Sequence, residues 1–331
     1  MTASRAQTTE AAPVAPPVPT VRGGAHDRAG RAFRWLATGS GVLILAVLAA
    51  VAGFLLLEAW PAISADPEEL TAISWIPEDG SLLRYIGPLA FGTVLAAVLA
   101  LVLAVPVAIG IALFISHYAP RRMADVLGYL VDLLAAIPSV VYGLWGGLWL
   151  APRLQGVWDG LAGTLGFVPL FEGPAATPPR VMMTVGVVLA VMILPIVTAV
   201  SREVFLQTPR LHEEAALALG ATRWEMVRMA VLPFGRSGVI SASMLGLGRA
   251  LGETMAVLMI LSPGLTYSWA LLMAGRHQTI AANIALQFPE ANPLGVSALV
   301  ATGLALFVIT LLVNMAARWV VARRAAFSGA N

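Results

Sequence analysis

Two charged side chains lie four residues apart inside a stretch that is otherwise uncharged and mostly apolar. Arg249 and Glu253 belong to the run G-R-A-L-G-E-T-M-A-V at 248–257, and no other residue between 238 and 261 is charged. A charged side chain at the centre of a membrane-spanning helix costs about 2.5–3.5 kcal/mol on insertion scales. The guanidinium of Arg249 suits a tetrahedral oxyanion, which it can hold through two parallel hydrogen bonds.

The spacing of these two residues predicts how they contact each other. On a continuous helix residues i and i+4 share a face, so we expect Glu253 to pair with Arg249 and to hold it in position. Gly248 and Gly252 form a G-x-x-x-G pattern, which permits close approach of another helix. Two interpretations stay open, a structural ion pair and a group that lines a substrate path. We favour the path, because intramembrane ionisable residues mark such paths more often.

Three further polar residues in the apolar runs are candidates for the same path, and a fourth is a candidate for another role. Ser139, Tyr142 and Thr254 are expected to line the cavity beside Arg249. Asp132 is the remaining acidic residue inside a predicted span and lies near the inner end of that span. We interpret Asp132 as an interfacial or gating residue.

The composition excludes several kinds of site. There is no cysteine, which excludes disulfides, thiolate chemistry and cysteine-ligated metals, and the four histidines are too far apart to form a helical ligand pair. All 20 basic residues are arginine, so the chain lacks the lysine with which a Walker A loop reaches nucleotide phosphates. We therefore expect no metal and no cofactor in this chain, and expect any driving ATP and Mg²⁺ to be bound by a partner chain.

The composition is that of a polytopic membrane protein with an all-α fold. Of the 331 residues, 59% are hydrophobic and 11% are charged, and the mean hydropathy is +0.84. A soluble domain has about 25% charged residues. The lipid bilayer is therefore an expected partner. A nucleic-acid partner is not expected, because the arginines flank apolar runs as they do in membrane proteins.

Six apolar runs are long enough for spanning helices of about 20 residues. They lie at about 36–57, 86–116, 126–150, 181–200, 238–261 and 296–321. Pro138 falls inside the third run and is expected to kink that helix. The transmembrane domain is predicted over 35–324, between a disordered cytoplasmic tail at 1–34, rich in Ala, Pro and Thr, and a short cytoplasmic tail at 325–331.

The arginines predict the orientation of the chain in the membrane. With a cytoplasmic N-terminus and six spans, the inside segments hold fifteen arginines and the outside loops hold four, Arg84, Arg153, Arg180 and Arg276. Positive residues favour the cytoplasmic side. Both termini are therefore predicted to be cytoplasmic, and the long loops after the first, third and fifth spans are predicted to lie outside.

The inside segment 201–237 is predicted to form a helix–turn–helix. Thr208 and Pro209 favour a helix start, with Thr208 as N-cap, and Gly220 favours the end of that helix. A second helix is expected to follow and to stop at Pro233. A short rigid helix on the membrane surface can transmit a push from a partner that hydrolyses ATP.

A sequence pattern within that segment has a known parallel. From Glu214 to Pro233 the chain reads E-A-A-x3-G-x9-A-x-L-P, which resembles the EAA loop of ABC importer permeases. In that family the loop carries a coupling helix that sits in a groove of the ATPase subunit. The resemblance implies an ATPase-coupling role for Glu213, Glu214, Ala215, Ala216, Gly220 and Pro233.

Further stretches narrow the resemblance over about residues 36–324. A-I-P-S-V-V-Y-G-L-W-G at 136–146 and G-L-G-R-A-L-G-E-T-M-A-V at 246–257 are similar to motifs of the membrane subunits of Pst-type phosphate ABC importers. The stretches at 165–174, 279–285 and 307–314 favour the C-type subunit over its A-type sister. The resemblance implies a type I ABC importer permease fold, a MetI-like core with an extra N-terminal span, in the bacterial inner membrane.

The same resemblance implies partners. They are a sister A-type permease, two ATP-binding subunits at the cytoplasmic loop and an extracytoplasmic phosphate-binding protein at the outer loops. Three alternatives stay open: the A-type sister, an ABC permease for another oxyanion such as sulfate or molybdate, and an ion-driven secondary transporter. The last would need several intramembrane acids and would have no use for an EAA loop.

Overall fold

A computed structural model describes residues 26–325 and the side chains of residues 30–319. The long helices are His26–Ser64, Leu82–Leu113, Arg121–Ala135, Ala151–Leu165, Met182–Leu206, Leu232–Leu251 and Pro293–Ala325. Shorter α-helices are Pro67–Leu70, Ser139–Leu144, Arg210–Ala218, Arg223–Met226, Met255–Ile260 and Ile280–Gln287. Phe114–Tyr118, Trp145–Leu150 and Val227–Val231 are π-helical, and Pro169–Phe171 and Phe288–Glu290 are 3₁₀ turns. The described residues contain no strand, as the sequence predicts.

Most of the predicted spans are present as continuous helices. Among the described residues, five helical stretches are long and apolar enough to cross a membrane: Gly30–Ser64, Leu82–Tyr118, Met182–Leu206, Arg223–Leu251 and Pro293–Trp319. They correspond to the first, second, fourth, fifth and sixth predicted runs. We call the end of the bundle that carries residues 207–222 the coupling end, and the opposite end the far end.

The third span is not one kinked helix. Arg121–Ala135 and Ser139–Leu165 meet at an angle of 89°, so the predicted helix over 126–150 is broken in its middle. Pro138 causes the break, because a proline disfavours helical backbone at the preceding residue and has no N–H to donate. The Tyr142 hydroxyl donates a hydrogen bond of 3.0 Å to the Leu134 carbonyl, which ties the two halves together across the bend.

The first helix begins before the predicted span. The chain divides into two units after Val51, and the described part of the first unit is a single helix from His26 with exposed side chains. Residues 26–34, assigned by the sequence to a disordered tail, are therefore helical, since Ala and Arg continue the helix of the apolar run. The other predicted tail residues, 1–25 and 326–331, lie outside the described residues.

The second and fourth spans form the centre of the second unit. Small residues recur every fourth position of the second span and are at most 1% exposed: Ala96, Ala100, Ala104, Ala108 and Ala112. This ridge packs against the fourth span, whose buried residues include Leu189, Val197 and Phe205. Helices in lipid associate through close packing of small residues, so the alanine ridge makes this pair the scaffold for the broken spans beside it.

The loops at the far end are ordered by buried hydrogen bonds. The Leu271 N–H donates to the Leu170 carbonyl at 3.0 Å, which joins the loop after the fifth span to the loop after the third. The His277 Nε2–H donates to the Ser268 carbonyl at 2.7 Å. Burial lowers the pKa of His277, so the imidazole stays neutral at neutral pH and can sit in an apolar loop.

The same loop is fastened to the second span. The Thr93 hydroxyl accepts a hydrogen bond of 2.9 Å from the Ile280 N–H and donates one to the Leu89 carbonyl at 2.7 Å. The Asn283 amide donates to the Tyr85 hydroxyl at 2.6 Å. These contacts are buried, so the far end of the second span and the loop that covers it behave as one packed body.

We expect Thr93→Val to lower the unfolding temperature of the detergent-solubilised protein. The valine keeps the shape of threonine but leaves the buried Ile280 N–H without an acceptor, at a cost of about 1–3 kcal/mol. Thr310→Val is the matched control, because the Thr310 hydroxyl only bonds the Leu306 carbonyl of its own helix at 2.8 Å. Equal shifts in the two variants would show that the Thr93 contact does not hold the loop.

Candidate functional site

The fifth span is interrupted inside its apolar run. The helix Leu232–Leu251 ends and the short helix Met255–Ile260 begins after residues 252–254. Glu253 lies in this break, is 8% exposed, and its Oε1 accepts a hydrogen bond of 3.0 Å from the Ala256 N–H. The first N–H groups of a helix have no partner within the helix, so the Glu253 carboxylate caps the start of the second helical piece.

The break overturns the expected pair of Arg249 and Glu253. That expectation assumed a continuous helix from 238 to 261. At Gly252 the backbone leaves the helix, with φ −93° and ψ 3°, so position 253 no longer follows the face of position 249. Among residues 30–319, no ion pair joins the two side chains. The two residues are close in sequence but have separate roles: Arg249 presents a charge at the end of one helix, and Glu253 caps the next.

The Arg249 side chain is therefore available to another anion. It has no carboxylate partner in the part of the chain that the structure describes, and its Nε is buried without a hydrogen-bond partner there. The side chain as a whole is half-buried, and a partly desolvated cation without a partner favours a negatively charged group at this place.

Arg249 faces a cavity of about 830 Å³ between three spans. The lining residues are Ile196 of the fourth span, Ile240, Ser241, Met244, Leu245, Gly248 and Arg249 of the fifth, and Asn314, Ala317 and Arg318 of the last. Two guanidinium groups line it and no carboxylate does. The cavity is therefore positively charged within apolar walls, which is a suitable environment for a small anion.

Three of the polar lining residues were missed by the sequence reasoning. Ser241, Asn314 and Arg318 interrupt apolar runs, which was the available signal, but only the packing of the fifth span on the last places them in one cavity with Arg249. From the sequence, Arg318 was interpreted only as one of the positive residues that predict the cytoplasmic side of the membrane.

Two glycines of the third span seat the short helix that Glu253 caps. A Cβ at Gly143, inside the quoted motif, would lie 2.9 Å from the Ala256 Cα, and a Cβ at Gly147, the residue after that motif, would lie 3.3 Å from the Met259 carbonyl oxygen. Side chains at these positions would push the short helix away. The two motifs quoted from the sequence are thus one packing unit, in which the third span supports the break in the fifth.

The structure gives the other predicted path residues different surroundings. Tyr142 is buried and its hydroxyl is used across the bend of the third span. Ser139 is half-buried at the first residue of its helix. The Thr254 hydroxyl donates to the Gly252 carbonyl at 3.3 Å inside the break. Of the predicted set, Arg249 alone lines the cavity, and contact of the others with a substrate stays a prediction.

Asp132 lies at the coupling end of the third span. Its Oδ2 is 3.9 Å from Nη2 of Arg202, which also contacts Glu203 at 2.7 Å. The Arg202 guanidinium packs on Gly128, where a Cβ would collide with it. The Asp132 side chain is 57% exposed, so this ion pair adds little stability. A gating or interfacial role for Asp132 stays a prediction.

The predicted coupling helix is present as Arg210–Ala218, with a well-defined end. Gly220 has φ +87°, the Gly220 N–H donates to the Leu217 carbonyl at 3.0 Å, and the Ala221 N–H donates to the Ala216 carbonyl at 3.2 Å. This is the Schellman arrangement, which uses a left-handed glycine to stop a helix. Gly220 therefore ends the coupling helix, as predicted.

Two details of the same segment differ from the prediction. Thr208 makes no cap, and Pro209 occupies the N-cap position. The second helix does not stop at Pro233, because Arg223–Leu251 is continuous. The π-helical residues Val227–Val231 precede the proline, which then occupies an early position of the following α-helix where its missing N–H costs nothing.

The coupling helix contacts the second span as well as its own neighbours. Ala216 packs against a buried cluster that includes Leu113 of the second span and Phe205 of the fourth. Glu213 Oε1 lies 3.5 Å from Nε2 of His117, at the end of the second span, and the His117 side chain is 8% exposed.

The other coupling residues face outward. Glu214, Ala215, Gly220 and Pro233 are exposed. One side of the helix is thus fastened to the bundle while the other is open.

Comparisons with known proteins agree with this arrangement. The model of the family "Binding-protein-dependent transport system inner membrane component" matches residues 104–326. A bacterial ABC transporter that imports the acidic polysaccharide alginate has a similar structure, with a TM-score of 0.52, 17% identity, and coverage of 86% of this chain and 98% of that chain. The all-helical fold of ABC importer permeases is therefore confirmed.

The relatives in sequence are more specific. "Phosphate transport system permease protein PstC 2" of Mycobacterium tuberculosis is 48% identical over 297 residues, which cover 88% of this chain and 91% of that protein. The PstC protein of Mesorhizobium japonicum is 39% identical over 302 residues, 87% of this chain and 89% of that one. The resemblance drawn from the sequence motifs is confirmed: this chain is a multi-pass membrane protein that belongs to the PstC family of phosphate transport system permeases.

Proposed function

We propose that this chain forms half of the translocation path of an ATP-driven phosphate importer. The observation that carries the proposal is Arg249, a guanidinium released from its neighbouring carboxylate and facing a cavity lined by a second guanidinium. The names of the relatives supply the substrate.

The proposed chemistry is transient contact of phosphate with Arg249. A guanidinium meets a phosphate through two parallel hydrogen bonds, and water-poor walls strengthen each of them. A path needs binding that is weak enough for release. Arg249 is only half-buried, so solvent screening moderates its attraction for the anion.

The proposed orientation follows the arginine distribution. The coupling end faces the cytoplasm of a bacterial cell, the far end faces outward, and both termini are cytoplasmic. Anions then enter past the far-end loops, meet Arg249 near mid-membrane and leave along the cavity toward the coupling end.

The proposed assembly contains four kinds of chain. A sister A-type permease completes the path, two ATP-binding subunits dock under the coupling segments, and a phosphate-binding protein docks at the far-end loops. ATP and Mg²⁺ are bound by the ATP-binding subunits, and this chain binds no metal or cofactor. The outward residues Glu214, Ala215 and Gly220 are proposed to touch the ATP-binding subunit.

The proposed coupling route runs from the docked helix into the second span through Glu213 and His117. Ser116 supports it, because its Oγ lies 2.7 Å from His117 Nδ1. A carboxylate can only accept a hydrogen bond, so the contact with Glu213 requires a hydrogen on His117 Nε2. A movement of the coupling helix then pulls directly on the end of the second span, the scaffold helix of the bundle.

Arg249→Gln is expected to lower phosphate uptake by about tenfold to a hundredfold, the effect of losing a two-point charged contact. Uptake is measured with radiolabelled phosphate in cells that lack other phosphate importers. Arg249→Lys is the matched variant, because it keeps the charge without the planar guanidinium. Its uptake rate is expected to lie between those of wild type and Arg249→Gln. Co-purification of the ATP-binding subunit checks assembly. Loss of assembly in Arg249→Gln would favour a structural role instead.

Glu253→Ala is expected to lower the unfolding temperature of the solubilised complex, whereas Glu253→Gln keeps it close to wild type. The amide oxygen of glutamine still accepts from the Ala256 N–H, and removal of a cap costs about 0.5–2 kcal/mol. If Glu253 were held by charge pairing, glutamine would destabilise the complex as much as alanine. That result would contradict the capping role.

His117→Ala and Glu213→Ala are each expected to reduce phosphate transported per ATP hydrolysed by about threefold in reconstituted complexes. Because both variants break the same link, the double variant is expected to match the single ones, as a coupled pair does in a double-mutant cycle. Glu214→Ala is the control, since Glu214 is exposed on the other side of the helix. The effect of Glu214→Ala is expected to add to that of His117→Ala. If the effects of Glu213→Ala and His117→Ala also add in the double variant, the proposed link is refuted.

A further inference from the structure

The cavity beside Arg249 extends toward the coupling end, where different residues line it. The fifth span contributes lining residues from Arg249 back to Ser241, eight positions that cover about 12 Å along a helix. The last span runs antiparallel to the fifth, so Arg318 and Asn314 approach its Ser241 end. The cavity is thus long enough to hold a second group apart from one at Arg249.

The polar groups at this second end match a phosphate. Arg318 supplies hydrogen-bond donors in a planar fork, the Asn314 amide supplies two more, and the Ser241 hydroxyl can donate one. Within residues 30–319, Arg318 makes no ion pair. The Ser241 hydroxyl now donates to the Ser237 carbonyl of its own helix at 3.0 Å, and a stronger, charged acceptor can replace that contact.

We propose that Arg318, Asn314 and Ser241 form a second phosphate-group site on the path, between Arg249 and the coupling end. The inference rests on the proposed function and adds a second binding position to the proposed path. Two separated guanidinium groups divide the passage through apolar walls into two short steps, so neither group needs to bind the anion tightly. The coupling end of the last span then takes part in release of the anion.

One other source of the same chemical group must be separated from the substrate. Arginine side chains near helix ends extend toward lipid headgroups, and the Arg318 side chain is exposed. A phospholipid phosphate and an inorganic phosphate would use the same donors. Transport measured in vesicles of different lipid composition distinguishes them.

The test uses the complete transporter, with all partner subunits, in proteoliposomes that are supplied with the binding protein, phosphate and internal ATP. Arg318→Gln is expected to lower the initial rate of phosphate uptake by about tenfold, the effect of losing one charged contact, and Arg318→Lys is expected to retain most of it. Arg236→Gln is the control, because Arg236 is an exposed arginine of the fifth span outside the cavity lining. It is expected to match wild type.

The outcomes separate the inference from the function on which it rests. A deficit of Arg318→Gln that is equal in vesicles of a phosphate-free galactolipid and in phospholipid vesicles supports the site. A deficit present only in phospholipid vesicles assigns Arg318 to headgroups and overturns the inference. Equal uptake by Arg318→Gln and Arg236→Gln overturns it as well. Absence of phosphate uptake by the wild-type complex would overturn the proposed function and the inference with it.

Discussion

The central constraint of this structure is the need to satisfy backbone groups where a spanning helix breaks inside the membrane. Lipid offers no hydrogen bonds, so unpaired N–H groups at such depth cost several kcal/mol each. The fifth span breaks at 252–254, and the buried Glu253 carboxylate accepts one of the freed N–H groups. Because the break turns Glu253 away from the face of Arg249, its carboxylate forms no ion pair with that guanidinium in the described residues. The break and the unpaired guanidinium therefore have one cause.

The broken spans depend in turn on the closely packed pair formed by the second and fourth spans. The alanine ridge of the second span packs the fourth span closely along its whole length, and the far-end loop is fastened to the same helix by Thr93 and Tyr85. His117 joins its other end to the coupling helix. One continuous helix thus touches both the covered far end and the coupling helix, so the proposed push at the coupling end would act on a helix that extends to the far end.

Sequence patterns predicted the elements that depend on local chemistry. The apolar runs predicted five of the spans, Gly220 predicted the end of the coupling helix, and the quoted motifs predicted the family. The patterns failed where tertiary support replaces helical continuity. Pro138 was expected to kink and instead breaks its span, while the break at Gly252 has no proline to mark it. The Arg249–Glu253 spacing implied a pair only because the helix was taken as continuous, and Arg318 joins the site through packing of two distant spans.

The side of the fifth span that carries Gly248 and Gly252 indicates where the missing part of the path must lie. Among the described residues, a Cβ at Gly248 would meet no atom of another helix within 4 Å, so Gly248 does not serve close contact between the described helices. Leu245 on that face is also exposed. A cavity with a guanidinium on one wall and an open glycine face beside it encloses an anion only when a second chain covers it. We therefore expect the sister permease to approach along these glycines, where the lack of side chains lets both backbones stand close to the passing anion.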